Sequence, residues 1–316
     1  MGSAFIKGLI NEKSDSLTTQ LSLWHHLTLR NILQRKFTGW ITKSDHLEDF
    51  LQKRSQAAGE LDSMTLRTWK LNEIMQFFKI PIPEELDLSS LNTIGIEIEV
   101  QSTALLRKID KDFSGSSPDD MVRHLLIKII ENFSKQLKDK DSKIQEETIK
   151  KVIEILQSMP IDQQEVLKGL LSIEEFSPDV IRNAIFDHSL TTALNSFMMM
   201  VKYTVYYEVA KIAVVLSGAL TLYLAKPYFR ALIPLVLFIF SPIAMATIGI
   251  GLTWWTDYYT NRQIKSFLLP IMVMSSILES VQNQEIPYSE DNDKKVNEFI
   301  IFYNQRYNNK SSETNI

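Results

Sequence analysis

Apolar positions recur at helical spacing over most of the chain. Between Ser16 and Gly39, the residues Leu17, Leu21, Trp24, Leu27, Ile32 and Leu33 stand mostly three to five apart, which predicts an amphipathic helix closed by Gly39 at C′. Asp45, with Glu48 three residues on, predicts the start of a second helix running toward Ala58. A third, over Met64–Phe78, must stop before Ile80-Pro81-Ile82-Pro83, where the prolines lack a donor and push their predecessors toward extended geometry. Ile94, Ile96, Ile98 and Val100 alternate with Gly95, Glu97 and Glu99 as in a strand. Yet Ile94, Ile98 and Leu105 also share a helix face and no second strand candidate follows, so helix is expected.

Clearer starts follow. Ser117-Pro118-Asp119-Asp120 supplies a cap, an N1 proline and acids over the positive helix end, ahead of Val122, Leu125, Leu126, Ile129, Ile130 and Phe133. Ser142 with Gln145 opens a helix through Leu156 that Pro160 ends, and Ser177-Pro178-Asp179 opens one carrying Val180, Ile181, Ala184 and Ile185. No fixed-period repeat is present. Because the helices before Ser177 have their own caps and apolar faces, a 1–176 fragment is expected to form a cooperative helical domain. The tail is polar from Gln282 to Lys294, then offers Val296, Phe299, Ile300, Phe302, Tyr303 and Tyr307, which predicts a short docking helix in a loose terminus.

One region departs from this pattern. Ile212–Ala225 is a run of 14 residues without charge, and Ala231–Thr256 a run of 26. As helices they would reach ~21 and ~39 Å, against a hydrocarbon core of ~30 Å, so the second can span and the first is marginal. The first lengthens if Tyr203–Tyr207 form an interfacial aromatic belt and Glu208 pairs with Lys211. The pair reads as a membrane-inserted helical hairpin from Ile212 to Thr256, bent at Lys226-Pro227-Tyr228-Phe229-Arg230. Its characteristic positions are Ile212, Ala225, Lys226, Pro227, Arg230, Leu237, Pro242, Trp254 and Trp255. Pro234 and Pro242 are tolerated in such a setting. Lys202, Lys211, Arg262 and Lys265 outside, against Lys226 and Arg230 at the tip, favour both ends on the cytosolic side. The alternative is a hairpin buried inside a soluble helical protein. Ser266–Leu278, interrupted by Pro270, is too short to span and is expected to pack on helices or lie at the interface.

Composition narrows the chemistry. The absence of cysteine among 316 residues removes thiolate, disulfide and iron–sulfur chemistry; ten glycines and ten prolines fall below average usage and disfavour phosphate loops and multi-turn β folds. A net charge of −4 gives no pull toward nucleic acid. The lysines of Lys135–Lys151 alternate with acids at salt-bridging spacing, which predicts solvated helix faces. The histidines are His25, His26, His46, His124 and His188; adjacent His25 and His26 point about 100° apart on a helix and form no metal pair. Asp119 with Asp120 is explained by capping and Glu97 with Glu99 by solvent exposure. No catalytic, cofactor or metal residue is therefore assigned. Met1–Lys7 lacks the apolar run of a secretory signal, and Ile6 stands where myristoylation wants Ser or Thr, so the chain is expected to stay on the cytosolic side.

The order of parts resembles the YaaW-like bacterial proteins, a family without an established activity. The likeness covers Trp69 to Leu278: a helix around Trp69, Leu71 and Phe77, a capped helix bearing Leu125 and Leu126, two charged helices, the apolar stretch, then Pro270 with Ile271 and Ile277. It implies no catalytic motif. The family's apolar stretch is richer in Gly and Ala than Ile212–Trp254, and its closing helix ends in arginine where this chain has Glu279.

The expected fold is all-α, a multi-helix bundle with a C-terminal apolar helical hairpin inserted in a membrane. Its parts are an N-terminal helical region (1–113), amphipathic helices (114–210), the apolar hairpin (211–257), an amphipathic to apolar helix (258–280) and a polar tail with a short helix (281–316). The expected role is a membrane-associated interaction or regulatory protein at the cytoplasmic membrane, without catalysis, cofactor or nucleic acid. Its partners are the lipid bilayer and, through the helices, proteins or further copies of itself. The alternatives are a membrane-active effector whose hairpin is released to insert, and a soluble cytoplasmic enzyme.

Overall fold

The computed structural model describes residues 2–26, 61–201, 205–218, 254–282 and 290–313. Among these the protein is all-α, with twelve helices and no strand. In chain order they are α1 (Ala4–Asn11), α2 (Ser14–His26), α3 (Ser63–Phe78), α4 (Leu88–Ile109), α5 (Pro118–Leu137), α6 (Ser142–Ser158), α7 (Ile161–Leu171), α8 (Pro178–Phe186), α9 (Ser189–Val201), α10 (Tyr206–Gly218), α11 (Trp254–Gln282) and α12 (Glu290–Glu313). The alternating stretch at Ile94–Val100 lies inside α4, as the shared face of Ile94 and Ile98 predicts; both are buried. The continuation of α2 past His26, the helix expected at 45–58, His46 and most of the apolar hairpin lie outside the described residues.

The helices form two compact units. In the first, α1–α4 from the start of the chain share a core with α11 and α12 from its end. Its centre is α1, which sequence periodicity missed because eight residues are too few to show it. A helix this short is marginal alone and must be held by its surroundings. Phe5, Ile6, Leu9 and Ile10 are all buried, and α1 packs mainly on α11 and also on α4. Two glycines set how closely. A Cβ on Gly8 would stand 1.5 Å from the backbone oxygen of Ser276 in α11, and one on Gly95 of α4 would stand 2.4 Å from Ile6 Cγ1 and Ser3 Oγ. Nothing larger than hydrogen fits at either position.

The N-terminus of α1 is satisfied from outside its own segment. Ser3 Oγ accepts from the Ile6 amide and donates to Glu99 Oε1 at 2.7 Å, and the Phe5 amide donates to the same oxygen at 2.7 Å. Glu99 is thus buried and caps α1, where solvent exposure was expected for it; a carboxylate at the positive helix end is favourable. α3 ends at Lys79 in the left-handed conformation (φ 58°), ahead of the proline pair. The C-terminal helix is longer than the short docking helix expected, and it does dock. Phe299 and Tyr303 are buried, Tyr303 Oη donates to Asn72 Oδ1 at 3.0 Å, and Asn304 bonds both the amide and the carbonyl of Leu86 at 2.8 Å.

In this core α1 has its principal neighbour in α11, so residues 1–118 share their unit with the end of the chain rather than with residues 119–176. The second unit holds α5–α10. α5 buries Val122, Leu125, Leu126, Ile129, Ile130 and Phe133, the face read from the sequence. α6 is capped by Asp141, whose side chain accepts from the Ile144 amide, one residue before the expected Ser142. Between Pro160 and Ser177 stands α7, for which the sequence shows no cap signal. α10 packs on α6 with Val209, Ile212, Ala213 and Leu216 buried.

Candidate functional site

Three features bear on function: an enclosed ion pair, a carboxylate ringed by aromatic donors, and the flanks of the apolar segment. The ion pair lies at the end of α1. Lys70 stands in the apolar stripe Leu66, Lys70, Ile74 of α3, and its ammonium donates to Glu12 Oε2 at 2.7 Å, Ser276 Oγ at 2.8 Å and the Met272 carbonyl at 3.2 Å. Neither side chain of the pair has any solvent exposure. Glu12 Oε1 accepts from Ser16 at 2.8 Å, Ser275 at 3.3 Å and the Gln20 amide, and Oε2 accepts from Ser276 at 3.0 Å. Arg67 donates to the carbonyls of Leu9 and Glu12 that end α1. Burial pushes the Lys70 ammonium down, with Glu12 pulling it back, and it pushes the nearby Glu279 carboxyl up, an effect Glu12 reinforces. Closed to solvent, the pair has no access for a substrate; it joins α1, α3 and α11.

The second cluster surrounds Glu73. Trp24 Nε1 donates to Oε2 at 2.7 Å and Trp69 Nε1 to Oε1 at 3.2 Å. His25 stacks on Trp69 with ring centroids 4.8 Å apart, and its Nε2 lies 3.3 Å from Glu73 Oε1, at ion-pair distance without hydrogen-bond alignment. Lys265 of α11 sits over the Trp24 ring, 4.6 Å from its centroid. Burial lowers the His25 pKa below its usual 6.5, Glu73 opposes this and Lys265 adds to it. Burial lowers Lys265 as well, against Glu73. The sequence assigned no role to His25, which belongs to the first unit; His124 and His188 belong to the second. Among the described residues no group of three or more His, Asp or Glu could hold a metal ion.

Of the hairpin positions, Ile212 is buried in α10, the helix that packs on α6, and Trp254 and Trp255 open α11. Ala225, Lys226, Pro227, Arg230, Leu237 and Pro242 lie outside the described residues. No described helix is long and apolar enough to cross a membrane. Glu208 and Lys211 pair as the spacing predicts, at 2.7 Å, with the ammonium also 4.6 Å from the Tyr207 ring. Sequence reasoning missed Glu12, Lys70, Glu73 and Lys265. Lys70 carried a usable signal: a charge four residues from Leu66 and from Ile74 lies in an apolar stripe and requires a buried partner. No protein-family model, curated protein or solved structure matches this chain.

Proposed function

We propose that the protein is a non-catalytic, membrane-associated helical protein that displays its two units on the cytosolic face of the cytoplasmic membrane and engages other proteins there. The observation that carries this reading is the run of 26 uncharged residues from Ala231 to Thr256, followed directly by a continuous helix headed by Trp254 and Trp255. Such a run is costly to leave in water, and paired tryptophans at its end suit a bilayer interface.

The first unit supports a same-side arrangement. The run lies between α1–α4 and α11–α12 in the chain, yet those helices share one core. With Gly8 against Ser276 and Glu12 against Lys70 and Ser276, flanks so joined stand on one face of a bilayer, so the segment between them enters and returns. A single crossing is incompatible with that core, and the excess of lysine and arginine at the outer ends agrees with a cytosolic placement.

The experiment is alkaline carbonate extraction of cells expressing the full chain. The protein stays with membranes if the reading holds, and Leu237→Arg, a charge mid-run costing about 2.5–3.5 kcal/mol on insertion scales, releases it or makes it aggregate. Full extraction of the wild type, or an unaltered membrane fraction for Leu237→Arg, overturns the proposal.

A further inference from the structure

The first unit carries a cleft that neither polar cluster explains. It encloses about 350 Å³, at the lower end of the range for small-molecule sites. Phe77 and Phe78 from the end of α3 form its apolar wall with Ala104 and Leu105 of α4, and the rest of the lining is Gln101, Lys79, Lys108 and Arg262. Three cations from three different elements therefore line one cavity, and among the described residues no carboxylate lines it. None of the three is paired with an acid among the described residues. Like charges gathered without counter-charge repel one another, and an anion seated among them removes that cost. The apolar wall is rigidly backed: Phe77 meets Phe78 edge-on at 5.5 Å and Trp24 at 5.6 Å.

We propose that this cleft binds the headgroup of an anionic phospholipid, its phosphate among Lys79, Lys108 and Arg262 and the first methylenes of its chains against Phe77, Phe78 and Leu105. The volume admits a headgroup and the start of a chain, not a whole lipid. The choice of a lipid rests on the membrane reading above. Arg262 lies on α11 six residues past Thr256, where the uncharged run ends, so the helix holds this cation within ~9 Å of the end of the run. That is the depth at which phosphates lie.

The test is native mass spectrometry of the full-length protein released from neutral detergent, with dihexanoylphosphatidylglycerol, dihexanoylphosphatidylcholine or glycerol 3-phosphate added. The expected result is at least tenfold tighter binding of the phosphatidylglycerol than of either other probe. The triple variant Lys79→Gln/Lys108→Gln/Arg262→Gln, changed only at exposed side chains, should lose that preference while keeping its circular dichroism. Equal binding of the two lipids, or an unaffected triple variant, overturns the proposal. Glycerol 3-phosphate binding as tightly as the lipid also overturns it, since the apolar wall would then contribute nothing. Carbonate extraction reads the membrane proposal separately: retention in membranes without lipid preference refutes the cleft alone, and lipid preference in a fully extractable protein refutes the anchor alone.

Discussion

Replacing Lys70 with Met tests whether the enclosed ion pair holds the first unit together. The variant removes the ammonium from Glu12 Oε2, the Ser276 hydroxyl and the Met272 carbonyl, and leaves an unexposed carboxylate hydrogen-bonded to hydroxyls and the Gln20 amide, with Arg67 the nearby cation. Removing one partner of a buried pair costs about 3–5 kcal/mol. The four neutral donors that remain on Glu12 place this site near the lower figure. A loss of about 3 kcal/mol is a large share of the ~5–15 kcal/mol that holds a domain together. The double variant Glu12→Gln/Lys70→Met removes both charges and keeps an amide for the serines, so it should recover about 2 kcal/mol of the loss. Denaturant unfolding followed by tryptophan fluorescence is the assay, because the chain has no tryptophan between Lys70 and Thr253 and the signal therefore omits α5–α10. A single variant that loses less than about 1 kcal/mol, or a double variant no better than the single, would refute the argument.

Gly8→Ala forces a methyl group onto the Ser276 carbonyl, a backbone atom that cannot step aside, so destabilisation at or above the ~1–3 kcal/mol usual for overpacking is expected in the same assay, whereas Gly169→Ala, which meets nothing within 4 Å, should not destabilise. NMR titration should find the His25 imidazole below pH 6.5 and Lys265→Met should raise it; with its folded pKa depressed, the stability His25 contributes is complete above about pH 6.5 and declines as pH falls through the folded value, so His25→Asn should flatten that acid-side slope. A 1–176 fragment, lacking α11 and α12, should show solvent-exposed Trp24 and Trp69 and no cooperative transition by fluorescence, while a native-like emission spectrum would contradict the shared core.

The helices with long amphipathic repeats were legible in the sequence, as α5 shows: its start at Pro118, the acids of its first turn and its six-residue apolar face are where spacing puts them. Period alone could not decide Ile94–Val100; the deciding fact is three-dimensional, since Gly95 and Glu99 face α1 while Ile96 and Val100 are exposed. α1 was illegible for a different reason. Its stability comes from partners 94 and 264 residues away in the chain, Glu99 from Phe5 and Ser276 from Glu12, and no local pattern records such pairings. Likewise Glu73 resembles any surface acid in the sequence until Trp24, His25 and Trp69 are brought around it.

The position of α10 separates the anchor from the alternative of a released, membrane-active hairpin. Only seven residues, Ala219–Ala225, lie between the end of α10 and Lys226. As a helix they reach ~10 Å, and even fully extended ~24 Å, against a hydrocarbon core of ~30 Å. While Ile212, Ala213 and Leu216 stay buried against α6, the charged cluster Lys226–Arg230 therefore cannot reach the far headgroups from a unit resting on the near side. The proposed anchor is then one whose segment enters the near leaflet and returns. A hairpin that crosses requires α10 to leave the second unit, which exposes the buried α10 residues Val209, Ile212, Ala213 and Leu216 and the part of α6 they pack on. At about 1.5–3 kcal/mol for each large aliphatic side chain returned to water, that exposure opposes spontaneous release. A releasing mechanism then needs a partner or a lipid surface to cover α6, whereas the anchor needs no change in either unit.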